Sequence, residues 1–268
     1  SINSEGHLCF AGHDTVELAK KYGTPLYLID EQRIRKRCRV YADAMKAAFG
    51  GDSHPLFASK ALSCKRIYEI VKEEGIGTDI VSPGELYTAV CAGFPMEKAY
   101  FHGNNKTDAD IAMAIDHNIG YFVCDNIEEL KAIDAEARSR GLIQKILLRI
   151  TPGIDPHTYE AVATGKVDSK FGSAIETGQA EEITRLALSL DGIELCGFHC
   201  HVGSQVFDSD VYLRASRVML DFVARVKDTR GYEAAELDIG GGYGVRYVES
   251  QPTIDIRENI LLVGDFMR

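Results

Sequence analysis

Short runs of apolar residues alternate along this chain with longer stretches in which apolar positions recur every three or four residues. HPLFASK (54–60) precedes CKRIYEIVKEEG, TDIVS (78–82) precedes PGELYTAVCAG, AYFHG (99–103) precedes TDADIAMAIDHN, and YFVCD (121–125) precedes NIEELKAIDAEARSRG. The series continues with KILLRI (145–150), a long polar loop and ETGQAEEITRLALSL. LCGFHCH (195–201) and DVYLRASRVMLDFVARVKD follow, and ELDIGGG (236–242) closes it. The short runs read as strands and the 3.6-period stretches as amphipathic helices. Counted from HPLFASK, seven strand–helix units follow with no hairpin signal, which predicts a parallel sheet with helical crossovers. KILLRI and YFVCD are apolar at odd and even positions alike, as strands covered on both faces must be. A further strand is expected at PLYLID (25–30), with a helix over EQRIRKRCRVYADAMKAAF after it.

Seven units in 268 residues favour an α/β fold of the (β/α)8, TIM-like barrel type over an open sheet, since such barrels occupy about 250 residues as one unit. The barrel is assigned to 31–268 and a separate N-terminal segment to 1–30. ILLV (260–263) is a candidate eighth strand, but no complete crossover helix precedes it. A barrel lacking its last strand keeps two open edges. The expectation is therefore an incomplete barrel, truncated near its eighth strand.

Composition adds limits. Forty acids against thirty bases give a net charge of −10, which argues against nucleic acid or an anionic membrane as a main partner. The apolar runs fall short of the roughly 20 residues that a membrane span needs, and SINSEGHLCF is not a secretory leader. Seven cysteines, an odd number without a CxxC pair, point to a reducing, cytoplasmic setting without a disulfide framework.

In barrels of this type the chemistry gathers at the C-terminal ends of the strands. Those ends carry Lys60, Asp79 and Ser82, His102 and Asn104, Arg149, then His199, His201 and Ser204, and finally Gly240, Gly241 and Gly242. If 195–201 is one strand, His199 and His201 share a face and Cys200 points away. Two imidazoles on one face could bind a metal or line a pocket for a flat anionic ligand. Cys196 and Cys200 could join them in a zinc cluster, although no second ligand pair follows at structural-zinc spacing. Three glycines after a strand let backbone N–H groups approach an anion; tight turns use them too. Lys60 is a solvated surface lysine or a desolvated, nucleophilic amine able to form a Schiff base. Lysine, glycine cradle and imidazole together describe a pyridoxal phosphate site.

At these residues the chain resembles the alanine-racemase-like (fold type III) pyridoxal phosphate decarboxylases, and among them most closely those that act on diaminopimelate. FASKAL around Lys60, TDIVSPGELYTAV (78–90), FHGNNKT (101–107), LLRITPGIDPHTYEAVATGKVDSKFG (147–172), GFHCHVGSQ (197–205) and LDIGGGYG (237–244) carry the resemblance, in family order over nearly the whole chain. It implies that Lys60 holds the cofactor aldehyde, and that His201 stacks on the ring with His199 behind it. It further implies that Ser204 and Gly240, Gly241 and Gly242 bind the phosphate, while Asp79, Arg149 and Lys170 lie beside the ring; for Arg149 and Lys170 a structural ion pair at the rim is an equal reading. The implied reaction converts meso-2,6-diaminopimelate to L-lysine and CO2, in a homodimer with shared sites. The family's EPGR-type segment, with the acid for the pyridinium nitrogen, and its cysteine-bearing β-domain do not occur in these 268 residues; residues 7–30 would pair with that β-domain. Another diamino acid such as carboxynorspermidine, a catalytically incomplete homologue, and a metal-dependent hydrolase using the H-x-H pair stay open as alternatives.

Overall fold

The computed structural model describes residues 1–51, 53–155, 164–165 and 169–268. The PHTYEAVA and KVD parts of the long quoted motif lie outside the described residues. Two short strands, β1 (Cys9–Phe10) and β2 (His13–Asp14), pair antiparallel ahead of α1 (Thr15–Tyr22). The expected strand at PLYLID does not form: 25–30 runs as irregular chain, with Tyr27 94% exposed. α2 (Glu31–Phe49) follows, its first turn capped by the Asp30 carboxylate, which accepts from Arg33 N.

The strands β3 (Leu56–Ala58), β4 (Gly77–Ile80), β5 (Ala99–Phe101), β6 (Tyr121–Cys124) and β7 (Gln144–Thr151) then alternate with helices. The helices are α3 (Lys65–Glu73), α4 (Pro83–Cys91), α5 (Asp108–Asp116) and α6 (Ile127–Ser139). The short β8 (Ser173–Ala174) pairs with the end of β7. α7 (Gln179–Ala187), β9 (Ile193–His199), α8 (Ser209–Arg230), β10 (Glu236–Asp238) and α9 (Ile256–Met267) complete the chain. Sequence chemistry sets the helix starts. Ser82 accepts from Glu85 N ahead of Pro83, Thr107 and Asp110 form a reciprocal capping box, and Asn126 accepts from Glu129 N.

The main sheet is parallel, in the order β10-β9-β7-β6-β5-β4-β3. β3 and β10 do not pair, so the sheet curls without closing, as an incomplete TIM-like barrel. The helical layer is continuous where strand pairing stops: α8 packs on α9, α9 on α2, and α2 on α3. This is why ILLV is not the eighth strand. It lies in α9, whose start is capped by Asp255 accepting from Glu258 N, and Gly264 of α9 sits tightly against Ala48 of α2.

Alternation sorts the strand side chains into two sets. Ala99, Phe101, Phe122, Cys124, Ile146, Leu148 and Phe198 face outward into the main core under the helices. Tyr100, Val123 and Leu147 face inward and fill the lower interior with Tyr121 and Leu56. Two residues beyond Tyr100, Val123 and Leu147, the inward positions change from apolar to polar, at His102, Asp125 and Arg149.

Candidate functional site

Those inward positions form one layer at the C-terminal rim. Arg149, His199 and Asp238 are register partners across β7, β9 and β10. Asp79 ends β4 beside His102, with Oδ1 3.2 Å from Nε2, and the His102 and His199 rings meet edge to face at 4.8 Å. Asp125, just past β6, lies 3.9 Å from Arg149. Asp79 Oδ1 and His102 Nε2 are close without hydrogen-bond geometry, and they, Asp125 Oδ1 and His199 Nδ1 are all buried without a hydrogen-bond partner among the described residues. Native interiors rarely leave such atoms unsatisfied, so a group of them marks a place built to meet something else.

Burial decides their charge. It holds the His199 imidazole well below its ordinary pKa, helped by the positive groups of His102, Arg149, His201 and Lys60. His201 is pulled down to about 3 by burial, with Lys60, Arg149 and His102 adding to the effect. Both imidazoles are therefore neutral near pH 7. Burial, with Asp79 beside it, pushes Asp238 up to about 6, against the opposing pull of the Gly240 N–H on the carboxylate. Asp125 is raised by burial as well.

The structure brings Lys60, Asp79, Arg149, His199, His201, Ser204 and the three glycines to one rim, with two changes from expectation. First, β9 ends at His199, so His201 is not its same-face neighbour on a strand. It stands in the following loop, with Nδ1 2.9 Å from where a Cβ on Gly240 would be. Second, Lys60 is not desolvated. It sits in a tight helical turn (Ser59–Ala61) after β3 and is exposed, while Ser59 beneath it is buried and donates to Glu85 Oε2 at 3.0 Å. Lys60 still belongs to the mouth, since its charge acts on both imidazoles.

The glycine turn and the loop with Ser204 lie backbone to backbone. Val206 N donates to Gly242 O at 3.0 Å and Gly244 N to Val206 O at 2.8 Å. Gly240 has φ +71° and Gly242 φ +91°, the left-handed region that favours glycine. A Cβ on Gly240 would lie 2.6 Å from Cys200 O, and one on Gly242 1.8 Å from Gly203 O. Gly241 is different: its Cβ would meet nothing within 4 Å. Two glycines serve the close approach of the loops, and the third faces open space at the rim.

Lys170 is exposed; its ammonium lies over the Phe171 ring at 5.1 Å and the Arg149 guanidinium over the same ring at 4.3 Å. The two cations flank one aromatic, and the acid facing Arg149 is Asp125. Cys200 faces the outer core and so does not join His199 and His201 in a zinc cluster. His102, His199 and Asp238 offer ligand atoms within 4.8 Å of one another. Sequence reading overlooked Asp238 and Asp125. Both lie two residues beyond an inward-facing strand residue, Glu236 or Val123, and this parity was the signal that could have found them.

The residues fit pyridoxal phosphate: an amine, a neutral imidazole, an anion cradle with one open glycine, and buried polar atoms lacking partners share one mouth. Comparison with known proteins agrees. The family described as "Pyridoxal-dependent decarboxylase, pyridoxal binding domain" matches residues 31–264. A diaminopimelate decarboxylase of Bacillus methanolicus is 44% identical over 253 residues, 94% of this chain and 58% of that protein. That of Bacillus subtilis is 40% identical over 96% of this chain and 58% of its own length. Among solved structures, diaminopimelate decarboxylase from M. jannaschii in complex with L-lysine superposes with a TM-score of 0.89 at 33% identity, covering 98% of this chain and 61% of that one. A lysine/ornithine decarboxylase from Vibrio vulnificus in complex with putrescine gives a TM-score of 0.76 at 25% identity, over 100% of this chain and 64% of that one. The chain thus spans a little over half the length of the curated relatives it matches.

Proposed function

Because the chain belongs to the pyridoxal-dependent decarboxylase family through its pyridoxal binding domain, we propose that its protein decarboxylates meso-2,6-diaminopimelate to L-lysine and CO2. The observation that carries the reading is the meeting, at one rim, of the Lys60 amine, two neutral imidazoles and the glycine turn with its one open position. The substrate rests on the relatives. Curated diaminopimelate decarboxylases are 36–44% identical to this chain, above the 25% of the lysine/ornithine enzyme.

Pyridoxal phosphate, when bound, supplies an electron sink for the pair released as the α-carboxylate leaves. In this reading Lys60, exposed at the mouth, would hold the cofactor aldehyde through its amine. His201, neutral and set against the glycine turn, gives the ring a flat apolar face. Ser204 and the N–H groups of Gly241 and Gly242 would hold the phosphate, while Gly240, whose N–H donates to Asp238 Oδ1 at 2.7 Å, would shape the turn. Asp79, His199 and Arg149 would lie beside the ring, with Asp79 Oδ1 and His199 Nδ1, which lack a hydrogen-bond partner among the described residues, available to orient it. We further propose a homodimer with shared sites in a reducing, cytoplasmic setting, which the seven free cysteines suit.

Pyridoxal phosphate added to the protein should produce a visible absorbance band that borohydride fixes to one peptide, the one containing Lys60. Full-length protein should release CO2 from meso-diaminopimelate and not from L-ornithine. Labelling of another lysine would overturn the site, and equal turnover of ornithine would overturn the substrate.

A further inference from the structure

Besides His102 and Asn104, the segment FHGNNKT contains a lysine whose side chain is buried like a core residue. Lys106 follows β5, and its side chain is 2% exposed and that of Glu129, on α6, 3%. The ammonium donates to Glu129 Oε1 at 2.7 Å, to Gly103 O at 2.8 Å and to Val123 O at 3.1 Å. All three of its N–H bonds therefore have a partner. Glu129 uses its other oxygen to accept from Asp125 N at 3.0 Å. One ion pair thus ties the ends of β5 and β6 together and grips the backbone of Asp125.

Asp125 is where this reaches the mouth. Its carboxylate faces Arg149 of β7, accepts from Gly172 N, and feels Lys106 and His102 from the β5 side and Glu129 from α6. Arg149 in turn lies against Phe171 and acts on both His199 and His201. The same FHGNNKT segment holds the Phe171 loop by a second contact, from Asn104 Nδ2 to Lys170 O at 3.0 Å.

We propose that Lys106 and Glu129 are positioning residues of the pyridoxal phosphate site: their buried ion pair fixes the β5 and β6 rim and so holds Asp125 against Arg149 and the 169–172 loop. The proposal rests on the cofactor reading given above. A buried ion pair adds little to stability compared with a well-packed apolar pair, though breaking one partner alone is costly. Its retention beside the site therefore points to a geometric role. The Lys106 charge also favours the ionised form of Asp125, so losing it leaves Asp125 protonated to higher pH.

The test compares wild type, Glu129→Gln and the double variant Lys106→Met/Glu129→Gln, which leaves neither charge buried alone. Pyridoxal phosphate affinity is measured by absorbance titration between pH 5.5 and 8.5, at a temperature well below each variant's melting midpoint. The double variant is expected to bind about tenfold more weakly, a loss worth about 1.4 kcal/mol. The acid limb of its affinity profile should move toward neutral pH, because Lys106 acts on Asp125 more than Glu129 does, whereas Glu129→Gln, which removes a negative charge and leaves Lys106, should move the limb the other way. If the double variant does not fold, Glu129→Gln alone decides, by the same two readouts. Folded variants with wild-type affinity and an unmoved acid limb would overturn the proposal. Wild type that fails to bind the cofactor would instead overturn the cofactor reading beneath it.

Discussion

His201 and Gly241 show how single residues set the chemistry of this mouth. A neutral His201 with its pKa at about 3 takes up a proton far later than a histidine in the unfolded chain, near 6.5. Between those values the unfolded state binds more protons, so stability falls as pH drops from about 6.5 toward 3. His199 acts in the same direction. Asp238, raised to about 6, acts oppositely: its contribution falls as pH rises from about 3.8 to 6. Asp125 and Glu129, also raised by burial, oppose the imidazoles as Asp238 does, so the quantity to isolate is the acid-side loss that belongs to His201. Urea unfolding at pH 7 and pH 5 should show this loss, and His201→Gln should reduce it; equal pH slopes for variant and wild type would refute the assignment. The glycines separate fold from ligand. Gly241→Ala should melt as wild type does yet bind pyridoxal phosphate about tenfold more weakly, because its methyl enters the open cradle. Gly240→Ala should lower the melting midpoint, since its Cβ meets the Cys200 carbonyl at 2.6 Å. Full cofactor affinity in Gly241→Ala would place the phosphate elsewhere.

Among the elements, α9 has most to do with the shape of the molecule. Its apolar residues Ile256, Ile260 and Val263 are buried, and Gly264 comes so close to α2 that a Cβ would lie 2.7 Å from the Ala48 Cβ. Gly264→Val should therefore force the two helices apart and cost about 1–3 kcal/mol, the usual range for overpacking, read as a lowered urea midpoint. An unchanged midpoint would mean that this helix pair yields easily. At the rim the elements stop where chemistry begins. β9 ends at His199, and the two residues after it turn Cys200 into the core and His201 toward the glycines.

The whole molecule is a curled parallel sheet whose open side is bridged by α8, α9 and α2, with two strand edges, β3 and β10, unpaired among the described residues. Open edges offer backbone donors and acceptors to other chains, while a net charge of −10 keeps copies apart by a repulsion that salt screens. The 268-residue chain alone should thus self-associate more at 0.5 M than at 0.05 M salt, measured by sedimentation. Association that weakens with salt would show that ion pairs and not sheet edges hold the copies together.

Sequence alone determined the alternation of strands and helices from residue 54 onward, because period 2 and period 3.6 are written directly into the apolar pattern. It also put Lys60, the histidines and the glycine run at strand ends, and the motifs around them carried the resemblance to the decarboxylases. It misread PLYLID and ILLV as strands, since a short apolar run suits strand, helix or irregular chain equally, and only its neighbours choose. For ILLV the neighbour was α2, whose Ala48 admits Gly264. It could not show that Lys60 is exposed, that Asp125 and Asp238 join the site, or that Lys106 and Glu129 meet in the interior. Those facts depend on which strand ends stand side by side. The curl of the sheet brings together residues more than a hundred positions apart, and burial then sets their charge.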